Sequence, residues 1–118
     1  MKVKHGVTGE WATDRKVIEQ LRREVNRLWS DPETFTSDTS MTREHYAVVL
    51  DGTSSSVDYT LLDSADVTGM VVWIKCKDAT HTVRAVGTID WASNKTLNTG
   101  DAVIMKAEGT SWLVFGDA

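Results

Sequence analysis

From residue 45 onward the sequence is a succession of short apolar stretches, most of them alternating with polar residues and each cut off by turn residues. "HYAVVLD" (45–51) is followed by "GTSSS" (52–56), "VDYTLL" (57–62) by "DSADVTG" (63–69), and "MVVWIKCK" (70–77) by "DATH" (78–81). "TVRAVG" (82–87), two short stretches within "TIDWASNKTLN" (88–98), "DAVIMKA" (101–107) and "WLVFG" (112–116) continue the series. Period-two alternation over four to eight residues places successive side chains on opposite faces of a strand. Glycine, aspartate, serine and asparagine between such stretches mark turns. Seven or eight short strands with frequent turns predict an antiparallel β-sandwich or small β-barrel, with "DAVIMKA" and "WLVFG" as a terminal hairpin. No strand–helix–strand alternation occurs, which argues against a nucleotide-binding α/β fold.

One helix is predicted, over "TDRKVIEQLRREVNRLWS" (13–30). Thr13 or Asp14 can cap its free amides. Ile18, Leu21, Val25 and Leu28 recur at spacings of three and four, and Trp11 extends the register by one heptad. With Trp11, Ile18 and Val25 at one heptad position and Leu21 and Leu28 at the other, the stripe is compatible with a coiled coil. Trp29 falls beside the seam. A helix this short needs its stripe covered, either by copies of itself or by the chain's own β domain. Asp31 and Pro32 end it, because proline biases the preceding residue away from helix. The expected class is thus α+β, mainly β. An extended N-terminal arm (1–12) precedes an oligomerising, coiled-coil-like helix (13–30), a polar linker (31–44) and an antiparallel β domain (45–118).

Composition narrows the function. The 118 residues suit one domain with an appendage, and a net charge of −4 with no basic block argues against nucleic acid as a partner. The start, "MKVKHGVTGEW", lacks the apolar core of a signal peptide, and no apolar run is long enough to span a membrane. Cys76 is the single cysteine, so no intrachain disulfide or cysteine zinc set can form. Wedged between Lys75 and Lys77, it invites a reading as a reactive thiol. Strand alternation instead puts it inward with Met70, Val72 and Ile74, as a small core hydrophobe.

Catalytic constellations are lacking. His5, His45 and His81 have no metal-ligand spacing. Asp58, Asp63, Asp66, Asp90, Asp101 and Glu108 are scattered and read as turn and surface residues, and Ser54–Ser56 lack a nucleophile-elbow setting. Neither an enzyme, nor a cofactor, nor a metal is expected. Five tryptophans are many for so short a chain. Trp112 alternates with Val114 and reads as core. Trp73 shares the outward face with the lysines. An outward tryptophan marks a covered contact or, alternatively, a platform for a sugar ring, and Trp73 and Trp91 are the two candidates.

Residues 46–115 carry "VVLDGTSSSVDYTLLDSADVTGMVVWIKCKDATHTVRAVG" and "LNTGDAVIMKAEGTSWLVF". Here an aspartate–small turn ends one strand, a "VTG" loop precedes a valine-rich strand with lysines, and a Gly-Thr turn leads to a final apolar strand. This text resembles a β domain of bacteriophage virion proteins, found in head fibres, head-decoration proteins and tail-fibre modules. Gly69, Lys75, Gly109, Thr110 and Trp112 sit where that pattern has them. Leu62–Asp63 and "IDWAS" stand where it has a proline and an "IDG" turn. The resemblance implies a structural protein of the virion, made in the host bacterial cytoplasm. It implies a homotrimer whose helices bundle, anchored through residues 1–12 to the major capsid protein or another virion protein. A head-decoration protein or short head fibre is expected. The alternative is a tail-fibre or adaptor component whose β domain meets a host-surface glycan.

Overall fold

A computed structural model describes residues 16–19, 21–22 and 31–117. Residues 16–19, 21 and 22 are helical. The arm (1–12), Trp11, Val25, Leu28 and Trp29 lie outside the described residues. No helix among the described residues is long and apolar enough to cross a membrane.

The β domain is a compact unit that begins at Asp31. Its strands are β1 (Glu33–Phe35), β2 (Thr39–Ser40), β3 (Ala47–Asp51), β4 (Val57–Thr60), β5 (Val71–Asp78), β6 (Val83–Val86), β7 (Lys95–Leu97), β8 (Ala102–Ala107) and β9 (Trp112–Asp117). A single 3-10 turn, Ser64–Asp66, precedes β5 and is capped by the Asp63 carboxylate. The strands form a five-stranded sheet in the order β1-β3-β5-β8-β9 and a four-stranded sheet in the order β2-β4-β6-β7.

The domain is therefore mainly β, but the expected antiparallel arrangement is not what the chain adopts. β1, β3 and β5 run parallel in the first sheet, and β2, β4 and β6 run parallel in the second. Only the later pairings, β5–β8, β8–β9 and β6–β7, are antiparallel. Both sheets are mixed, and neither closes into a barrel. The reason lies in the turns. "GTSSS" does not fold the chain back on itself but carries it from the first sheet to the second, and "DSADVTG" returns it. Each pair β1–β2, β3–β4 and β5–β6 is consequently one rung of a short coil. Leu50 pairs with Cys76, and Val57 with Val83, so the step from the second rung to the third is 26 residues in both sheets.

The stretch expected as a polar linker contributes the first rung. β1 pairs with β3, and β2 with β4, through backbone hydrogen bonding, with Phe35 as the apolar side chain that packs against the core; the other side chains there are mostly exposed and polar. Asp38 assists by accepting the Asp58 amide at 2.9 Å.

Inward-facing residues of both sheets meet in one buried cluster that includes Val48, Leu50, Val57, Tyr59, Val72, Ile74, Cys76, Val83, Leu97, Val103, Met105 and Trp112. Cys76 is fully buried on the Val72–Ile74 face, as strand alternation requires. Burial raises its thiol pKa, because an apolar surrounding disfavours the thiolate. Ellman's reagent should therefore label Cys76 slowly in the native protein and rapidly in denaturant. Fast native labelling would contradict its placement.

The corners of the coil explain most of the acids. The Asp51 carboxylate accepts the Thr53 amide (3.0 Å) and hydroxyl (2.6 Å), and Asp78 accepts the Thr80 amide at 2.7 Å. These hydrogen bonds stabilise the charged forms and hold both carboxyls below their usual range. The two aspartates face each other across the β3–β5 pairing, so the same turn chemistry is stacked rung on rung.

Candidate interaction surfaces

The outer face of the first sheet is unusually apolar. Cross-strand register aligns Ala47, Trp73, Ile104 and Gly116 in one row. A neighbouring row aligns Val71, Lys106 and Leu113, and another aligns Thr34, Val49, Lys75 and Ala102. Trp73 stands 46% exposed at the centre, with the Tyr46 ring 6.2 Å away. Beside it runs a shallow groove whose lining includes Pro32, Ala47, Val49 and the Lys75 stem. The Lys75 ammonium is drawn off to the Gly100 carbonyl at 2.8 Å, so it does not sit over the groove as a free charge. Alternation had placed Trp73 outward, and it stands there.

Phe115 belongs to the same sheet and was not foreseen. The β8–β9 register shifts between Ile104, which faces Gly116, and Met105, which faces Val114. Phe115 is the extra residue of this bulge, and its ring is 68% exposed. Its alternation with buried Trp112 was the available signal.

In the helical residues, Ile18 and Leu21 are 45% and 59% exposed. Three residues apart, they occupy one helix face. The other residues of the expected stripe, Trp11, Val25 and Leu28, lie outside the described residues.

Trp91 is exposed like Trp73 but sits in a turn and not on a strand. The turn expected at Ala92-Ser93-Asn94 lies instead two residues earlier, at Asp90–Trp91. Ile89 and Ala92 exchange backbone hydrogen bonds of 3.1 and 2.9 Å, and both intervening residues have positive φ, 49° at Asp90 and 60° at Trp91. This is the geometry of a tight primed hairpin turn, which glycine, asparagine or aspartate normally supplies, so Trp91 and not Asp90 is the unusual residue.

The remaining candidates are structural. The His45 ring is buried, 2.7 Å from the Tyr59 hydroxyl and packed against Phe35. His81 Nδ1 lies 2.9 Å from the Gly52 carbonyl oxygen. Arg84 grips Asp58 with two hydrogen bonds, of 3.0 and 2.8 Å, and this holds the Asp58 carboxyl below its usual range. Asp101 accepts the Asn98 amide at 2.9 Å. Among the described residues no three histidine, cysteine or acidic side chains are grouped to hold a metal ion.

No family model, curated protein or solved structure matches this chain.

Proposed function

We propose that this chain is an accessory structural subunit of a bacteriophage particle: a homotrimeric head-decoration protein or short head fibre, attached to a capsid or other virion protein through residues 1–12. The observation that carries the reading is the uncovered apolar face around Trp73, to which four strands contribute. A contiguous apolar patch with aromatic centres is the signature of a surface that another polypeptide covers. The Ile18–Leu21 helix face makes a second such demand. The resemblance of residues 46–115 to virion β domains supplies the setting. In a trimer, three weak anchors act together, because once one is bound the others bind intramolecularly.

Solution mass tests the assembly. Light scattering on the intact chain should give three times the 13.1 kDa of one subunit. Removing residues 1–32, or the single change Leu21→Asp, should reduce it to the monomer. A monomeric intact chain would sink the trimer. A truncated chain that stays trimeric would shift the interface to the Trp73 face. The setting is tested by an antibody to the β domain on purified particles of the phage that encodes it. Labelled heads are expected; labelled tail tips would favour the tail-fibre alternative, and unlabelled particles would overturn the virion reading.

A further inference from the structure

The turn that joins Ile89 to Ala92 needs positive φ, and placing tryptophan there carries a conformational penalty that glycine would avoid. The left-handed region costs a side-chain-bearing residue because Cβ crowds the backbone, and a large aromatic there is an outlier. Trp91 sits in it at φ 60°, directly after Asp90 at φ 49°. The usual compensation would be burial, yet Trp91 is 66% exposed. A strained backbone that carries an exposed aromatic side chain points to a task outside the fold.

The side chain is also fixed in direction. Its indole Nε1–H donates to Thr110 Oγ1 at 3.0 Å, and the Thr110 hydroxyl in turn donates to the Glu108 carboxylate. Its backbone amide donates to Ser111 Oγ at 2.9 Å. The only polar atom of the indole is thus satisfied within the chain, and what remains for solvent is the flat ring.

The surroundings separate this tryptophan from Trp73. Around Trp91 in sequence stand exposed Asp90, Ala92, Ser93 and Asn94, and across the turn Thr110 and the partly exposed Glu108. Among the described residues, strand pairing does not align apolar rows with Trp91 as it does with Trp73. A protein interface buries apolar neighbours along with its central aromatic. A lone, oriented aromatic plane ringed by hydroxyl, amide and carboxylate groups suits a ligand with one apolar face and a polar rim. We propose that Trp91, held by Thr110 and Glu108, is the stacking platform of a carbohydrate site for a neutral pyranose, with the Asp90 and Glu108 carboxylates able to accept hydrogen bonds from sugar hydroxyls. The sugar's C–H face is weakly positive and meets the negative face of the indole. The inference is independent of the trimer and of the virion setting.

The test uses the intact chain and a panel of maltose, cellobiose, lactose and chitobiose at up to roughly 10 mM, where a dissociation constant of about 1 mM is read directly. At least one sugar should move the Trp91 indole N–H resonance and change the tryptophan fluorescence. Trp91→Gly should abolish that response while leaving the thermal midpoint unchanged or a few degrees higher, because glycine relieves the strained turn. Three results would overturn the proposal: no sugar moving the Trp91 resonance, a response that survives in Trp91→Gly, or a midpoint several degrees lower in that variant. Protection of Trp91 from acrylamide quenching in the unliganded intact protein would also overturn it, by placing the ring in a protein contact.

Discussion

Trp112→Ala should remove about 3–5 kcal/mol from the stability of the β domain, the range for deleting a fully buried large aromatic. Trp112 is 1% exposed and among the largest buried side chains. Its position explains why the loss should fall in the upper part of that range. The indole Nε1–H donates to the Leu62 carbonyl at 2.8 Å, tying β9 to the arc between the second and third rungs. Its backbone amide donates to Thr88 and its carbonyl accepts from Asp90, at 2.9 and 2.8 Å, tying β9 to the Asp90–Trp91 turn. Truncation leaves a cavity and an orphaned Leu62 carbonyl at once. Domains of this size have about 5–15 kcal/mol in total, so the variant should be marginally folded. Urea unfolding reads the change, and a loss below about 1 kcal/mol would contradict the buried placement.

Gly52→Ala should destabilise the domain by about 1–3 kcal/mol, through crowding and not through backbone conformation. A Cβ at Gly52 would lie 2.7 Å from Val83 Cγ2, 2.9 Å from the His81 carbonyl oxygen and 3.0 Å from that of Asp78. Two of those three atoms are backbone and cannot swing aside. They belong to the corner where the rungs stack, for Gly52 donates to Asp78 at 2.7 Å and accepts from His81 at 2.9 Å. Relief requires the third rung to move off the second. Gly109→Ala is the matched control: no atom lies within 4 Å of its added Cβ, so its unfolding midpoint should stay close to that of the parent. Equal effects at the two glycines would refute the close approach.

These residues also show where sequence is informative. Cys76 and Trp73 were assignable because β5 is long and alternates cleanly, so a period of two assigns every side chain to a face. Trp112 followed from the same rule. Topology did not follow, because a stretch such as "GTSSS" has the same composition whether it turns a hairpin or crosses between sheets. Direction is settled by what the arriving strand pairs with, a long-range property. β1 and β2 are three and two residues long with mostly polar, exposed side chains, so apart from Phe35 only their backbone pairing distinguishes them from a linker. The Asp90–Trp91 turn lies two residues before the expected one because tryptophan, unlike aspartate, does not favour positive φ, whereas the outward position of Phe115 follows from its odd spacing from buried Trp112.

The coil has a consequence for the order in which the chain can acquire structure. The step between the second and third rungs spans 26 residues, as from Leu50 to Cys76. The short-range pairings, Ala85 with Lys95, Ile89 with Ala92 and Ala107 with Trp112, all lie beyond residue 82. Closing a short loop costs less chain entropy than closing a long one, so these late segments hold the cheapest contacts. A polypeptide leaving the ribosome N-terminus first exposes its rungs before any of those contacts exists. The apolar strand β5 must therefore wait, unpartnered on the edge that β8 will fill, until the C-terminal hairpin emerges, and the moment of greatest aggregation risk falls during synthesis, before the folded state exists.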